Sequence, residues 1–461
     1  MAKKAKSVFV CQECGYESPK WMGQCICGAW NTFVEEKVVT DKSKKSLNPD
    51  HQRGIKAKAQ PIKEIKADGT EDRIDTGIKE FNRVLGGGLV KGSLTLISGE
   101  PGIGKSTMIM QAADNISKSG KKVLYVSGEE SQLQLKMRAD RICKNISDNF
   151  LVIAETNIEN IMDVAEEVKA DMLIVDSIQT TYSGTIDSAP GSVSQVRACG
   201  SELMYFGKSK NVPILIVAHV TKSGELAGPK IVEHLVDCVL HFNGERNHEL
   251  RILRAFKNRF GTTSEIGAFE MGPEGLVEIE NLSKTFLEGA EDEKIGACIT
   301  SVYEGTRPLL LEVQALTAKT NAGFARRTSI GIDNTRVNML LAVLERARGL
   351  SFMDQDVYVN VVGGLKPEGT YTDLGVAMAI YSSYRNMPVS KGTIILGEIG
   401  LSGEVRNIQN AEKIIKEAQR MGFNKIVLPY GNLSKVESLK KEGIEFKGVK
   451  TIRDAIESCF Q

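Results

Sequence analysis

The chain has 461 residues, 41% of them hydrophobic, 25% charged and 6% aromatic, with a formal net charge of +1. That length exceeds one ordinary core and sets an expectation of about three globular domains, while the balanced charge excludes an overall basic field of the kind that coats nucleic acid, so any such contact has to be local. No apolar run approaches the ~20 residues of a membrane span, and no apolar stretch of signal type precedes the first cysteines, which predicts a cytoplasmic protein without a membrane segment. In that reducing compartment the nine cysteines are expected as thiols or metal ligands rather than disulfides.

In chain order, residues 1–36 read as a zinc-binding module. Cys11 and Cys14 are two residues apart, Cys25 and Cys27 have one residue between them, and Gly15 and Gly28 follow the two pairs and permit tight turns. Four thiolates make a closed tetrahedral structural zinc site. The second pair is one residue shorter than the usual Cys-x-x-Cys, which tightens its chelate loop. With so few large apolar side chains, folding of this module is expected to depend on the metal. Residues 37–66 carry nine Lys/Arg against three Asp/Glu without helical or strand periodicity; they read as a flexible basic linker, either a solubilising tether or a phosphate-contacting arm.

From residue 67 to 284 strands alternate with helices. The apolar strand Leu94–Ser98 runs into Gly99, Glu100, Pro101, Gly102, Ile103, Gly104, Lys105, Ser106 and Thr107, the full G-x-x-x-x-G-K-S spacing of a P-loop, and a helix follows. Backbone N–H groups at that helix start would cradle the phosphates of ATP, with Lys105 reaching the β and γ oxygens and Ser106 holding Mg²⁺. "ADMLIVDSIQT" is a buried strand ending at Asp176, placed as the carboxylate of the magnesium shell. "KKVLYVSGEESQ" ends in two acids, of which Glu129 is preferred as the group orienting the attacking water and Glu130 competes; both also suit a helix start. His219 and Lys222 close a fourth strand, in the position of a phosphate sensor or of ordinary structural polar residues. In "ELRILRAFKNRFG" strand alternation sets Lys257 and Arg259 on one face, an arrangement that asks for an anion: a neighbouring subunit's nucleotide, or a surface ion.

The stretches "CQECGYESPKWMG", "GEPGIGKST", "YVSGEES", "IVDSIQT" and "KNRFG" in this order resemble the bacterial RadA family, also called Sms, over essentially the whole chain. The resemblance implies an α/β protein: a RecA-like P-loop ATPase core, an N-terminal four-cysteine zinc module and a C-terminal domain similar to that of Lon proteases. It further implies homohexameric rings that act in recombination and repair, binding single-stranded and branched DNA and driving branch migration with DnaB-like helicase behaviour, with the recombinase RecA as an expected partner. Lys105 would be the Walker lysine, Asp176 the magnesium-shell acid, and Lys257 and Arg259 the catalytic pair linking ATP turnover to work on DNA.

Residues 285–461 form a second α/β alternation, similar to the Lon proteolytic domain. Alignment places Tyr371 where the nucleophilic serine belongs and Glu412 where its lysine belongs, so a non-proteolytic scaffold is expected. Arg326, Arg327, Arg346 and Arg348 are candidate DNA contacts or members of a solvated charged face. Two further readings keep the same engine: a nucleotide-switched DNA-binding ring without translocation, and an ATP-dependent protease.

Overall fold

The computed structural model describes residues 6–11, 16–38, 61, 73–218, 230–244, 250–290, 293–320, 324–363, 367, 369–440 and 442–460. Two compact units divide the chain, Met1–Ile279 and Glu280–Gln461.

The first unit opens with a small antiparallel sheet in the order β2-β1-β3, built from β1 (Lys6–Cys11), β2 (Glu17–Ser18) and β3 (Phe33–Val38). Its core is three side chains, Cys11, Cys25 and Phe33, with Phe9 packed against them. So small an apolar cluster leaves most of the folding free energy to be supplied by a metal.

The main sheet follows a two-stranded antiparallel pair, β4 (Arg73–Ile74) with β5 (Leu89–Val90), that brackets α1 (Lys79–Leu85). Its elements are β6 (Leu94–Gly99), α2 (Lys105–Lys118), β7 (Val123–Ser127), α3 (Gln132–Ile142), β8 (Phe150–Ala154), α4 (Ile158–Glu167), β9 (Met172–Asp176), α5 (Val193–Lys210), β10 (Ile214–Val217), α6 (Lys230–Leu235), β11 (Cys238–Asn243), β12 (Leu250–Asn258), β13 (Ile266–Gly272) and β14 (Gly275–Glu278). The order is β14-β13-β12-β11-β6-β10-β9-β7-β8, parallel from β11 through β8 and antiparallel from β11 to β14.

Strand residues alternate between two cores, as a period of two requires. Ile97, Tyr125, Ile174, Leu215 and Leu240 join one core with Met108 and Ile109 of α2, and Leu96, Val126, Val175, Ile216 and Val239 join the other with Ile161 of α4 and Leu203 of α5. Helices therefore cover both faces, and the crevice for a ligand lies at the carboxyl ends of the parallel strands. Ser131, Asn157 and Ser192 cap α3, α4 and α5 through their side chains, whereas α2 starts at Gly104 with no side-chain cap. α1 too lacks a side-chain cap, but α2 starts at a glycine just after the end of β6, and that start marks the site.

The alternation expected for "FKNRFG" ends early. Val239 pairs with Lys257 but Leu240 with Ala255, so Phe256 is the extra residue of a β-bulge and is exposed. β12 stops at Asn258, and Arg259 lies beyond the strand instead of sharing a pleat with Lys257.

In the second unit, after α7 (Leu282–Phe286), a sheet runs in the order β17-β18-β16-β15-β19-β22-β23. Its strands are β15 (Ala297–Glu304), β16 (Arg307–Lys319), β17 (Arg327–Ile330), β18 (Gln355–Val361), β19 (Thr393–Ile395), β22 (Lys425–Pro429) and β23 (Glu445–Val449), with β20 (Glu398–Ile399) and β21 (Val405–Arg406) paired separately. The helices are α8 (Asn334–Arg348), α9 (Asp373–Arg385), α10 (Ala411–Arg420), α11 (Leu433–Val436) and α12 (Ile452–Cys459). Eight consecutive residues of α9, Asp373–Ile380, are buried, and Gly375 lets the helix approach Thr300 of β15 so closely that a Cβ there would come within 2.7 Å of it.

Asp373 is the charge inside this helix contact. Arg336 of α8 pairs with both of its oxygens and also donates to the Ile399 carbonyl at 3.0 Å, while the Ile399 N–H donates to Asp373 at 3.1 Å. Burial pushes the Asp373 carboxyl above its usual range, and the Arg336 hydrogen bonds oppose that shift. Arg336→Ala leaves a buried carboxylate uncompensated and should destabilise the second unit by about 3 kcal/mol; urea unfolding of wild type and variant measures it, and an unchanged midpoint would show the pair to be incidental.

Candidate active site

The P-loop leaves β6 through Gly99 at φ 151° and enters α2 through Gly104 at φ 115°. A Cβ on Gly99 would lie 2.6 Å from the Phe242 carbonyl oxygen, so that position requires glycine for both conformation and space, whereas Gly104, where a Cβ would meet the flexible end of Met271 at 2.8 Å, requires it for conformation. Since no side chain caps α2, its first N–H groups face the cavity with their donors uncommitted to a cap.

Lys105 lies in the first turn, 3% exposed, with its ammonium donating to the carbonyls of Gly99 at 2.7 Å and Glu100 at 3.0 Å. Burial pulls its pKa down to about 8, against the opposing pull of Asp176, Glu129 and Glu100. A cation held by neutral oxygens and short of water is a ready partner for a phosphate.

Parallel register delivers the acids. Ser127 of β7 sits opposite Asp176 of β9, so the carboxyl ends of both strands open on one cavity. That cavity has a volume of about 470 Å³ and is lined by Pro101, Gly102 and Gly104 to Thr107 of the loop together with Ser127, Glu129, Glu130, Arg138, Arg141, Asp176 and Met271. The Tyr125 hydroxyl donates to Asp176 Oδ2 at 2.5 Å, and burial, then Asp176, holds that phenol well above its ordinary range. The two neighbouring acids differ in attachment. Glu130 forms an ion pair with Arg138, whereas Glu129 Oε1 accepts a hydrogen bond from the Ser177 hydroxyl at 2.7 Å.

Sequence reasoning passed over Tyr125, Ser177, Arg138, Arg141 and Met271. Tyr125 and Ser177 stand inside the quoted motifs, and a tyrosine in an otherwise aliphatic strand was the available signal.

Lys257 and Arg259 do not join this cavity. β12 runs antiparallel to β11, and Asn258 pairs with Cys238, whose parallel partner on β6 is Thr95. The cations therefore lie at the opposite end of the sheet, roughly 13 Å along β6 from Gly99 at about 3.3 Å per residue. Lys257 Nζ donates to the Glu233 carbonyl at 2.7 Å and Arg259 pairs with Asp237 at 3.1 Å, leaving the Arg259 side chain 56% exposed. His219 and Lys222 lie outside the described residues.

At the other candidate centre, the sulfurs of Cys11, Cys25 and Cys27 lie within 4.8 Å of one another, and Cys11 Sγ is 3.9 Å from Cys27 Sγ. Thiolates ~2.3 Å from a tetrahedral zinc stand about 3.8 Å apart, so the set fits that ion. The shortened second pair turns back on itself through Gly28 N–H to the Cys25 carbonyl at 2.9 Å. Cys14 lies outside the described residues. In the second unit Tyr371, at the expected serine position, is half-buried, and Glu412, at the expected lysine position, is exposed on α10. Arg327 spends its guanidinium on the carbonyls of Arg326, Gln355 and Phe352, Arg348 pairs with Glu457 at 3.3 Å, and Arg326 and Arg346 are exposed.

A family model described as a rubredoxin metal binding domain matches residues 9–35, one described as an AAA domain matches residues 60–225, and one described as subunit ChlI of Mg-chelatase matches residues 321–432. The DNA repair protein RadA of Bacillus subtilis (strain 168) is 49% identical over 454 residues, covering 98% of this chain and 98% of its own. Its counterpart in Listeria monocytogenes serovar 1/2a is 46% identical over 461 residues, covering 100% of this chain and 99% of its own. A solved KaiC-like protein of Pyrococcus horikoshii OT3 covers 45% of this chain and 98% of its own at 21% identity with a TM-score of 0.38, too loose a likeness to argue from. The fold is thus a RecA-like P-loop ATPase core preceded by a zinc ribbon and followed by a Lon-like α/β domain, with ATP and Mg²⁺ as ligands of the core and zinc of the ribbon. Among the described residues no helix is long and apolar enough to cross a membrane.

Two outcomes follow from this geometry. Free protein loses the Lys105 charge above pH 8, so ATP binding there has to take up a proton, and affinity should fall roughly tenfold between pH 7 and pH 9; calorimetry in buffers of different ionisation heat reads both, and Lys105→Ala should bind weakly with no such slope. Metal analysis of purified protein should find about one zinc per chain, removed by a Cys11→Ser, Cys25→Ser double substitution; a value near zero in wild type would exclude the thiolate site.

Proposed function

Because this chain belongs to the RadA family of DNA repair proteins, we propose that it is an ATPase of DNA repair and recombination that works as a motor on single-stranded DNA, driving branch migration with DnaB-like helicase activity. The observation that carries the reading is the convergence on one cavity of an uncapped helix start, the buried Lys105 ammonium, and the carboxylates of Asp176 and Glu129.

In this reading the N–H groups from Gly102 to Thr107 hold the β and γ phosphates, and Lys105 exchanges its two carbonyl partners for phosphate oxygens. Ser106 and Asp176 would hold Mg²⁺, which when bound would supply charge neutralisation at the phosphates. Glu129 orients the attacking water and accepts its proton; Glu130 is already neutralised by Arg138 and serves the wall of the cavity. With Lys257 and Arg259 at the far end of the sheet, their action on ATP has to be on the nucleotide of a neighbouring subunit, which requires a head-to-tail assembly, expected here as a hexameric ring. RecA is the expected protein partner.

The test is the ATP hydrolysis rate with and without single-stranded DNA at one stated salt concentration, because phosphate contacts are screened by salt. DNA should stimulate turnover, and Arg259→Ala should keep ATP and DNA binding while abolishing unwinding of a forked substrate. An unchanged rate with DNA bound favours a nucleotide-switched ring without translocation. Normal unwinding by Arg259→Ala would reject the proposed coupling.

A further inference from the structure

Asp176 is a strand-terminal carboxylate that can turn about its Cβ–Cγ bond, yet the geometry it offers an ion depends on which oxygen faces the cavity. Parallel register decides what stands behind it. Ser127 is opposite Asp176 and Tyr125 is opposite Ile174, so Tyr125, two residues back on β7, shares the face of Asp176 and lies one pleat deeper. Its ring is fully buried in the core beneath α2, 6.4 Å from the ring of Phe150, and nothing about that packing asks for a hydroxyl. A phenylalanine would fill the same space. A tyrosine hydroxyl buried without a partner costs about 1–3 kcal/mol, so it is kept out of such cores unless something accepts its proton. Here Asp176 Oδ2 accepts it at 2.5 Å.

We infer that Tyr125 is a positioning residue for the metal: by holding Oδ2 it turns Oδ1 of Asp176 toward the cavity and fixes the carboxylate for the hydration shell of the magnesium ion. The inference rests on the reading of Asp176 as the magnesium-shell acid. It assigns Tyr125 no contact with nucleotide, since its hydroxyl lies behind the carboxylate and its ring is walled off by the core. Outer partners of this kind restrict the rotamers of a metal-binding carboxylate, and their removal typically lowers metal affinity by 10–100-fold. Tyr125→Phe deletes one oxygen and leaves the packing volume intact, which separates aim from packing.

The measurement is equilibrium binding of a fluorescent, non-hydrolysed ATP analogue to the full-length protein across free Mg²⁺ concentrations, for wild type, Tyr125→Phe and Asp176→Asn, with a thermal melt of each. Expected is a midpoint in Mg²⁺ raised about tenfold in Tyr125→Phe, the same or larger in Asp176→Asn, and nucleotide affinity in EDTA equal in wild type and Tyr125→Phe. An unmoved midpoint in Tyr125→Phe beside a raised one in Asp176→Asn would overturn the inference and leave Tyr125 a packing residue. Unmoved midpoints in both would instead sink the reading of Asp176, and the inference with it. Loss of nucleotide affinity in EDTA by Tyr125→Phe would also overturn it, because the hydroxyl would then shape the pocket rather than the metal.

Discussion

An ammonium taken out of water and handed to two carbonyl oxygens of its own loop is the constraint around which the first unit is arranged. Lys105 is 3% exposed and bonds to Gly99 and Glu100; without further help that burial would strip its charge. The help is the field of Asp176 and Glu129, and those carboxylates are within range only because β7 and β9 run parallel to β6 and end at the same edge. Placement of the loop in turn needs Gly99 to pass beneath the Phe242 carbonyl of β11. Strand order, register and a single glycine thus serve one charge.

The other end of the same strands is tied just as closely, by a different set of bonds. Asp237 takes the Leu94 N–H at 3.1 Å with one oxygen and Arg259 with the other, while Lys257 closes the end of α6 and Asn258 donates to the Val84 carbonyl of α1 at 3.1 Å. Arg73 donates to the Phe260 carbonyl at 2.8 Å, and Gly86 and Gly261 approach so closely that a Cβ on Gly261 would come within 2.9 Å of the Gly86 Cα. "KNRFG" therefore fastens α1, α6 and the first residue of β6, the strand whose last residue opens the P-loop. The knot fixes the backbone of both cations and occupies their heads, Arg259 with Asp237 and Lys257 with the Glu233 carbonyl, while the Arg259 side chain stays 56% exposed.

The parts of this fold visible in the sequence are those carried by short-range spacing. Gly99 to Ser106 needs no partner to be recognised, and the apolar runs at Leu94, Val123, Met172 and Ile214 declare buried strands by themselves. What stayed hidden depends on register between strands far apart in the chain. Tyr125 and Asp176 are 51 positions apart, and their hydrogen bond exists only because β7 and β9 pair with Ser127 against Asp176. The bulge at Phe256 is of the same kind, since one inserted residue relative to β11 leaves no trace in the hydropathy of β12. In the cysteine ribbon Cys11, Cys25 and Cys27 were legible as ligands and Gly28 as a tight turn, while the bond that closes it, from the Gly28 N–H to the Cys25 carbonyl, was not.

The two adjacent acids show why chemistry resisted a choice from the sequence. Glu129 and Glu130 have the same functional group and neighbouring backbone N–H groups, both directed at the Ser127 hydroxyl, at 3.3 and 2.9 Å. They separate only in what α3 and β9 bring to them. Arg138, two turns into α3, forms an ion pair with Glu130 and ties that carboxylate to the wall of the cavity. Ser177 follows Asp176 directly and gives Glu129 a neutral hydroxyl, which orients a carboxylate whose charge acts on the Lys105 ammonium. The residues after Ser177 are in turn held by Gln195, 1% exposed, which accepts the Ser183 N–H and donates to the carbonyls of Ser183, Ile186 and Ser188. One short stretch of chain thereby joins the end of β9, the Glu129 carboxylate and the start of α5, so the charge that faces the cavity is positioned by the segment that leaves it.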